Sequence, residues 1–212
     1  MIYADHAATT KISETAKLAM LSAMEKDWYN PSSLYTPGQQ ASGTLMDARV
    51  RIAHCLGCLP KEIYFTSGGS EADNQAILSA AAIGKRQGKM HIISTAFEHH
   101  AVLHTLKKLE KEGFEITLLD VGEKGIVSPV QVEKAIRPDT ILVTVMYANN
   151  EIGTIQPIRE IGAICRKNGV LFHTDAVQAA GHLQINVEKD QIDMLSLSAH
   201  KFNGPKGIGV LY

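Results

Sequence analysis

What the chain is short of narrows the field first. It holds 3 cysteines in 212 residues, Cys55, Cys58 and Cys165, too few for a disulfide framework. It has no excess of charge: 21 Lys plus Arg stand against 22 Asp plus Glu, a formal net charge of -1. That offers no electrostatic case for nucleic acid or an anionic membrane surface as partner. No apolar run approaches the length of a membrane span, and the N-terminus lacks the charged-then-apolar order of a signal peptide, so a cytoplasmic location is the expectation. Internal repeats, low-complexity tracts and a clear linker are missing. So are the spacings of a P-loop and of a dinucleotide-binding loop. No second His, Cys or Glu group stands at metal-ligand spacing from Glu98-His99-His100, which argues against zinc.

What is present is an ordinary globular mixture, 45% hydrophobic and 20% charged. Helical and strand-like patterns alternate throughout, which predicts an α/β fold on a mainly parallel sheet. Helices are predicted from Ser13 to about Asp27, Gln39 to Leu56, Ser70 to about Gly84, Ala101 to Glu112, from Ser128-Pro129, and from Pro157 to a stop at Gly169. Ser70-Glu71-Ala72-Asp73 reads as a capping box. Strands are expected at Glu62–Thr66, Met90–Thr95, Phe114–Asp120, Thr140–Met146, Val170–Thr174, Ile192–Leu197 and Gly207–Tyr212. The last of these ends the sequence with no cap or turn after it. That predicts an incomplete domain over 1–212 with an exposed sheet edge.

In open α/β sheets ligands bind beyond the carboxyl ends of the strands, and polar residues gather there. Ser67-Gly68-Gly69-Ser70 joins a strand to a helix. Its glycines admit close approach of an anion and the helix start offers free N–H groups; a plain turn with a cap is the competing reading. His99 can stack on a ring or move a proton near neutral pH, or be half of a surface pair. Asn149-Asn150-Glu151 follows another strand, where asparagines also serve simply as turn residues. Asp175 ends a buried strand with Gln178 three residues on. A protonated ring nitrogen would be a suitable partner for that carboxylate, and an N-cap role is the alternative. Ser198-Ala199-His200-Lys201 closes the apolar run at 192–197. A lysine in an apolar site loses ammonium hydration, its pKa falls, and the neutral amine can attack an aldehyde such as that of pyridoxal phosphate. Cys55 and Cys58 are expected at a helix C-terminus, the wrong end to stabilise a thiolate.

Taken together, Tyr3-Ala4-Asp5-His6-Ala7-Ala8-Thr9-Thr10, Asn30-Pro31-Ser32-Ser33, Phe65 through Glu71, Glu98-His99, Asn149 through Gly153, His173 through Gln178 and Ser198 through Lys201 resemble a known family over essentially the whole chain. It is the cysteine desulfurases, fold-type-I pyridoxal phosphate enzymes of the class V aminotransferase-like group. The resemblance implies a three-layer α/β/α large domain with a mainly parallel mixed sheet, spanning 1–212, and a C-terminal small domain outside these residues. It implies pyridoxal 5'-phosphate bound covalently by Lys201, with its phosphate held by Gly69, Ser70, Ser198 and His200. His99 stacks on the ring and moves protons, Asp175 meets the ring nitrogen, Gln178 the ring hydroxyl, and Asn150 lies beside cofactor and substrate. Implied partners are L-cysteine, which becomes L-alanine, a sulfur-acceptor protein such as an iron–sulfur scaffold, and a second copy in a homodimer. Two departures stand out. Tyr35 replaces the family's usual histidine, and none of the three cysteines matches the family's persulfide-bearing position. That cysteine and the carboxylate-binding arginine fall outside the 212 residues, so these residues alone are expected to be inactive. The alternatives are another class V enzyme, such as a selenocysteine lyase or small-substrate aminotransferase, or a truncated, non-catalytic partner-binding protein.

Overall fold

The structure is a computed structural model that describes residues 2–212. Two helices lead in, α1 (Glu14–Lys26) and α2 (Thr36–Leu56). They are followed by β1 (Tyr64–Thr66), α3 (Gly69–Gln87), β2 (His91–Thr95), α4 (His100–Lys111), β3 (Glu115–Leu119), α5 (Pro129–Ala135), β4 (Thr140–Thr144), α6 (Ile158–Asn168), β5 (Leu171–Asp175), β6 (Met194–Ser198) and β7 (Gly209–Leu211). The strands form one sheet in the order β1-β7-β6-β5-β4-β2-β3. Pairing is parallel from β6 through β3, whereas β7 runs antiparallel to both its neighbours. No helix among the described residues is long and apolar enough to cross a membrane.

The central strands read as continuous apolar runs because both faces are covered. Successive residues point to opposite faces. Ile92 and Leu142 thus join Ile77, Ala80, Val102 and Leu106 of α3 and α4, while Ile93, Val143 and Phe172 join Leu56, Ile158, Ile161 and Cys165 of α2 and α6. This is the expected three-layer α/β/α arrangement. Helix α1 contributes nothing to either core, and Leu18, Leu21 and Met24 on it are exposed, as is Trp28 just beyond it.

Several expected boundaries shift for identifiable reasons. The second helix begins at Thr36, not Gln39, because Pro37 sits in the first turn, where its missing N–H has no partner to lose. Tyr35 is its N-cap residue and makes no side-chain cap bond. The first strand is shorter than expected, since Pro60–Glu62 form a 3-10 turn in which Glu62 accepts the Leu59 N–H at 2.8 Å. The last strand is not an edge: β7 pairs with β1 on one side and β6 on the other, and the edges are β1 and β3. The capping box at Ser70–Asp73 does not form. Helix α3 starts two residues earlier, with Gly68 rather than Ser70 as N-cap residue, Glu71 accepts from the Ser67 N–H, and Asp73 turns inward to the sheet.

Nor does α3 stop at Gly84. It runs to Gln87 and is closed by Gly88 in the left-handed conformation (φ 69°), with the Lys89 N–H returning to the Gly84 carbonyl at 2.9 Å. Gly84 has a different task, since a Cβ there would lie 2.5 Å from the Lys89 carbonyl oxygen and 3.0 Å from the Ile141 side chain. Glycine to alanine inside a helix ordinarily gains about 1 kcal/mol. Here overpacking outweighs it, and Gly84→Ala is expected to destabilise by about 1–3 kcal/mol. Urea unfolding of the two proteins measures the difference, and a higher midpoint for Gly84→Ala would contradict the packing argument.

Candidate functional site

The sheet order decides which loops meet. Thr66, Gly209 and Ser198 are neighbours across β1, β7 and β6, so the loop after β1 and the turn after β6 leave the sheet side by side. The approach is close: a Cβ on Gly209 would lie 2.6 Å from the Gly68 carbonyl carbon. At the same end of the sheet, β2 delivers His99, β4 delivers Asn150, and β5 delivers Asp175, level with Ser196 of β6. A cleft of about 720 Å³ opens there. Gly69, Ser70, His99, Asn150, Asp175, Gln178, Ser198, His200 and Lys201 all line it, so the structure brings together on one cleft the residues that the resemblance assigns to cofactor and substrate.

One end of the cleft favours anions. Gly69 and Ser70 are the first residues of α3, a 19-residue helix whose initial N–H groups have no partner within the helix. Ser198, His200 and Lys206 face the same space. His200 is fixed from behind, its Nδ1 3.1 Å from Thr9 Oγ1 and its carbonyl accepting from the Thr10 N–H and hydroxyl, each at 2.8 Å.

Lys201 follows β6 on a short 3-10 turn and is half-buried. Burial pulls its amine below the usual lysine range, while Asp175 and Asp5 pull the other way. Its Nζ donates to the carbonyls of Ala7 and Ala8, at 2.5 and 2.9 Å. Gln178 Nε2 donates to the same Ala7 carbonyl at 2.9 Å. The N-terminal segment is thus tied across the cleft by two of its own lining residues, a contact no sequence signal announced.

His99 is the N-cap residue of α4, and its Nδ1 accepts the Ala101 N–H at 3.2 Å. In the neutral ring that places the proton on Nε2. Burial, then the charges of His100 and Lys201, hold its pKa below the usual histidine value. Asp73, His99 and Asp175 each place a potential ligand atom within 4.8 Å of the others. With Nδ1 taken by an amide and Nε2 bearing the proton, His99 presents a donor rather than a lone pair, so the trio is not disposed for a cation. Asn149 proves to be the turn former: its Oδ1 accepts from Glu151 and Ile152 N–H at 2.8 and 3.0 Å, leaving Asn150 at the cleft.

The residues that sequence reasoning missed are buried acids. Asp175 was singled out, but Asp73 and Glu98 join it beneath the cleft, with 1% and 5% of their surface exposed. Glu98 Oε1 accepts from Thr95 Oγ1 and the Met146 N–H, and its Oε2 has no partner among the described residues. Burial drives the Glu98 carboxyl up to about 8, against the pull of those two bonds. Beside them His173, fully buried, is pushed down to about 3 by desolvation, with Thr144 and Ser196 hydroxyls at its two nitrogens. An acid with an acidic neighbour in the sequence, such as Glu71-Ala72-Asp73, carries no mark of which one turns inward.

A family description for aminotransferase class-V matches residues 2–212. The chain is 53% identical over 211 residues to a cysteine desulfurase IscS of Methanosarcina thermophila, covering all of this chain and 52% of that protein. It is equally identical, at 53%, to a putative cysteine desulfurase IscS 1 of Bacillus subtilis, covering 55% of it. The chain thus spans about half the length of these curated relatives. Among solved structures, SspA in complex with cysteine superposes with a TM-score of 0.95 at 42% identity, over all of this chain and 61% of that one. The apo cysteine desulfurase of Thermococcus onnurineus gives 0.90 at 32% identity, over all of this chain and 53% of that one.

Glu98 has a pH signature. Its folded pKa of about 8 lies above the ordinary unfolded value. Below pH ~4.3 both states are protonated. Between there and pH 8 the unfolded state releases a proton that the folded state keeps, so stability falls as pH rises. Glu98→Gln removes this loss. Its stability relative to the parent is expected to grow by on the order of 3 kcal/mol from pH 5 to pH 8. Chemical unfolding at both pH values measures this, and a constant difference would mean that Glu98 is ionised at pH 8.

Proposed function

The chain belongs to the aminotransferase class-V family, and from that premise we propose that it forms the cofactor-holding large domain of a pyridoxal-phosphate-dependent cysteine desulfurase. The observation that carries the reading is the convergence of Lys201, Asp175, His99 and the start of α3 on one cleft. The donor set fits this cofactor at three points. Unpaired N–H groups with hydroxyls suit a phosphate, a buried carboxylate suits a ring nitrogen, and a partly desolvated amine suits an aldehyde. When bound, pyridoxal phosphate supplies an electrophilic carbon and a ring that draws in electron density.

The chain's own residues supply the rest. Gly69, Ser70, Ser198 and His200 hold the phosphate. Asp175 keeps its charge toward the ring nitrogen, its Oδ1 held by the Val177 N–H at 2.9 Å. Lys201 must give up its bonds to Ala7 and Ala8 before its lone pair can react. His99 offers its Nε2–H as a donor; to take up a proton at Nε2 the ring must first release the Ala101 N–H, so that its own proton can reside on Nδ1. Gln178 has its Nε2 on Ala7, so its amide oxygen is the atom left to accept from a ring hydroxyl. Asn150 orients the substrate.

For substrate we infer L-cysteine, supported by the cysteine desulfurase names of the relatives and by the cysteine complex of one structural neighbour. Breaking its C–S bond yields L-alanine if the sulfur passes to a thiol as a persulfide, the thiol becoming the sulfur-bearing group that a scaffold protein then relieves. The cysteines here are poor candidates for that thiol. Burial pushes Cys165 up to about 12 and Cys58 up to about 11, and none of the three lines the cleft. The thiol therefore comes from beyond residues 2–212, which accords with a small domain following this one. The exposed Leu18, Leu21, Met24 and Trp28 are of the kind a second copy would cover.

The test uses the full-length protein. Cysteine should give equal amounts of alanine and, with a reductant present, sulfide; release of neither would overturn the reading. Borohydride reduction and peptide mapping should place the cofactor on Lys201, not on Lys206, which also lines the cleft. Asp175→Asn should retain cofactor but slow turnover by about ten- to a hundredfold, the value of one charge-assisted hydrogen bond in the transition state. Serine at Cys55, Cys58 and Cys165 together should leave sulfide release within about twofold of the parent, because none of the three lines the cleft and burial keeps Cys58 and Cys165 protonated. Residues 1–212 alone should release none.

A further inference from the structure

Asp73 stands apart from the roles assigned so far. It lies in the first turns of α3 with its side chain on the sheet, 1% exposed, and forms part of the cleft wall. Its Oδ1 has no hydrogen-bond partner among the described residues and is 3.6 Å from His173 Nε2. The groups facing it come from every neighbouring element: Asp175 and His173 from β5, Ser196 from β6, and Glu98 and His99 from the loop after β2. One carboxylate oxygen each of Asp73 and Asp175 lie within 4.8 Å of each other.

Two carboxylates this close and this dry do not both ionise without a cation between them. His173 is not that cation, since it is fully buried and desolvation pushes it down to about 3. The donors decide which acid keeps the charge. Burial raises Asp175 too, to about 6, but the Val177 N–H and the charge of Lys201 hold it back, whereas Asp73 receives no backbone N–H among the described residues. Desolvation, then the charge of Asp175, raise the Asp73 carboxyl well above the carboxylate range, opposed only by the Ser196 hydroxyl.

We propose that Asp73 is a positioning residue that retains its proton near neutral pH, leaving Asp175 as the undivided anion beneath the cleft. Asp73 touches no reacting atom and acts through Asp175, so its effect on cofactor rests on the cofactor reading above. The ionisation pattern does not rest on it.

Carbon-13 carboxyl NMR of the cofactor-free protein, labelled at aspartate, follows the protons directly. From pH 5 to pH 8 one buried signal should keep the protonated shift and vanish in Asp73→Asn. Another should be ionised by pH ~7 and vanish in Asp175→Asn. An Asp73 signal that ionises with an ordinary pKa near ~4, or an Asp175 signal that stays protonated, overturns the proposal. Cofactor affinity, read from the absorbance of added pyridoxal phosphate, supplies the second arm. Asparagine mimics a protonated acid, so Asp73→Asn should bind within about threefold of the parent, with an unchanged absorbance profile from pH 6 to 8. Asp73→Ala removes the support and should weaken binding by about tenfold, 1.4 kcal/mol. A tenfold loss in the asparagine variant would show that Asp73 works as an anion, and full affinity in the alanine variant that it positions nothing. If the parent itself binds no cofactor, the functional reading falls while the NMR result still decides where the proton sits.

Discussion

The contact on which the cleft depends is the approach of β7 to the start of α3. A side chain at Gly209 would strike the backbone of Gly68, 2.6 Å away, so the strand and the loop pack backbone to backbone. That contact sets Thr66 and Ser198 on either side of one residue. Without the antiparallel insertion of β7, the helix start that suits an anion and the turn that carries Lys201 would have no reason to meet, since some 130 residues separate them in the chain. The parallel strands then fill in the rest, because their carboxyl ends all face the same side.

The second constraint is electrostatic. Asp73, Glu98 and Asp175 lie beneath one cleft, and Lys201 is half-buried above them. Desolvation favours the neutral form of each acid, and only specific donors reverse it. Glu98 accepts two hydrogen bonds and is still pushed to about 8, so hydrogen bonding alone does not fix ionisation here. Charge settles where an N–H and a nearby cation act together, which singles out Asp175.

Local chemistry was the readable layer. Ser13 caps α1 with its hydroxyl, accepting from Ala16 at 3.1 Å, and Ser128-Pro129-Gln131 starts α5 through the reciprocal bond of Gln131 to the Ser128 N–H. Each depends on residues a few positions apart, and so each was visible in the order of residues. Asp73 and Gly84 were misread for the complementary reason. Asp73 sits at capping-box spacing from Ser70 but faces the sheet. Gly84 resembles a helix stop, but is small because Ile141 and the Lys89 carbonyl press on it. The pressing groups come from other elements, which no local pattern encodes.

By itself the sequence determined the alternation of helices and strands, the residues at strand ends and the family they resemble. Those follow from periodicity, from caps and from motifs that are contiguous in the chain. Only the tertiary structure decided that β7 is an inner strand rather than an edge, that Lys201 and Gln178 are bonded to the N-terminal segment, and that Asp73 is turned inward beside Asp175. Strand order, dehydration and the closing of long loops are properties of the whole packed chain. A residue's charge or partner is fixed only once its distant neighbours have excluded water from around it.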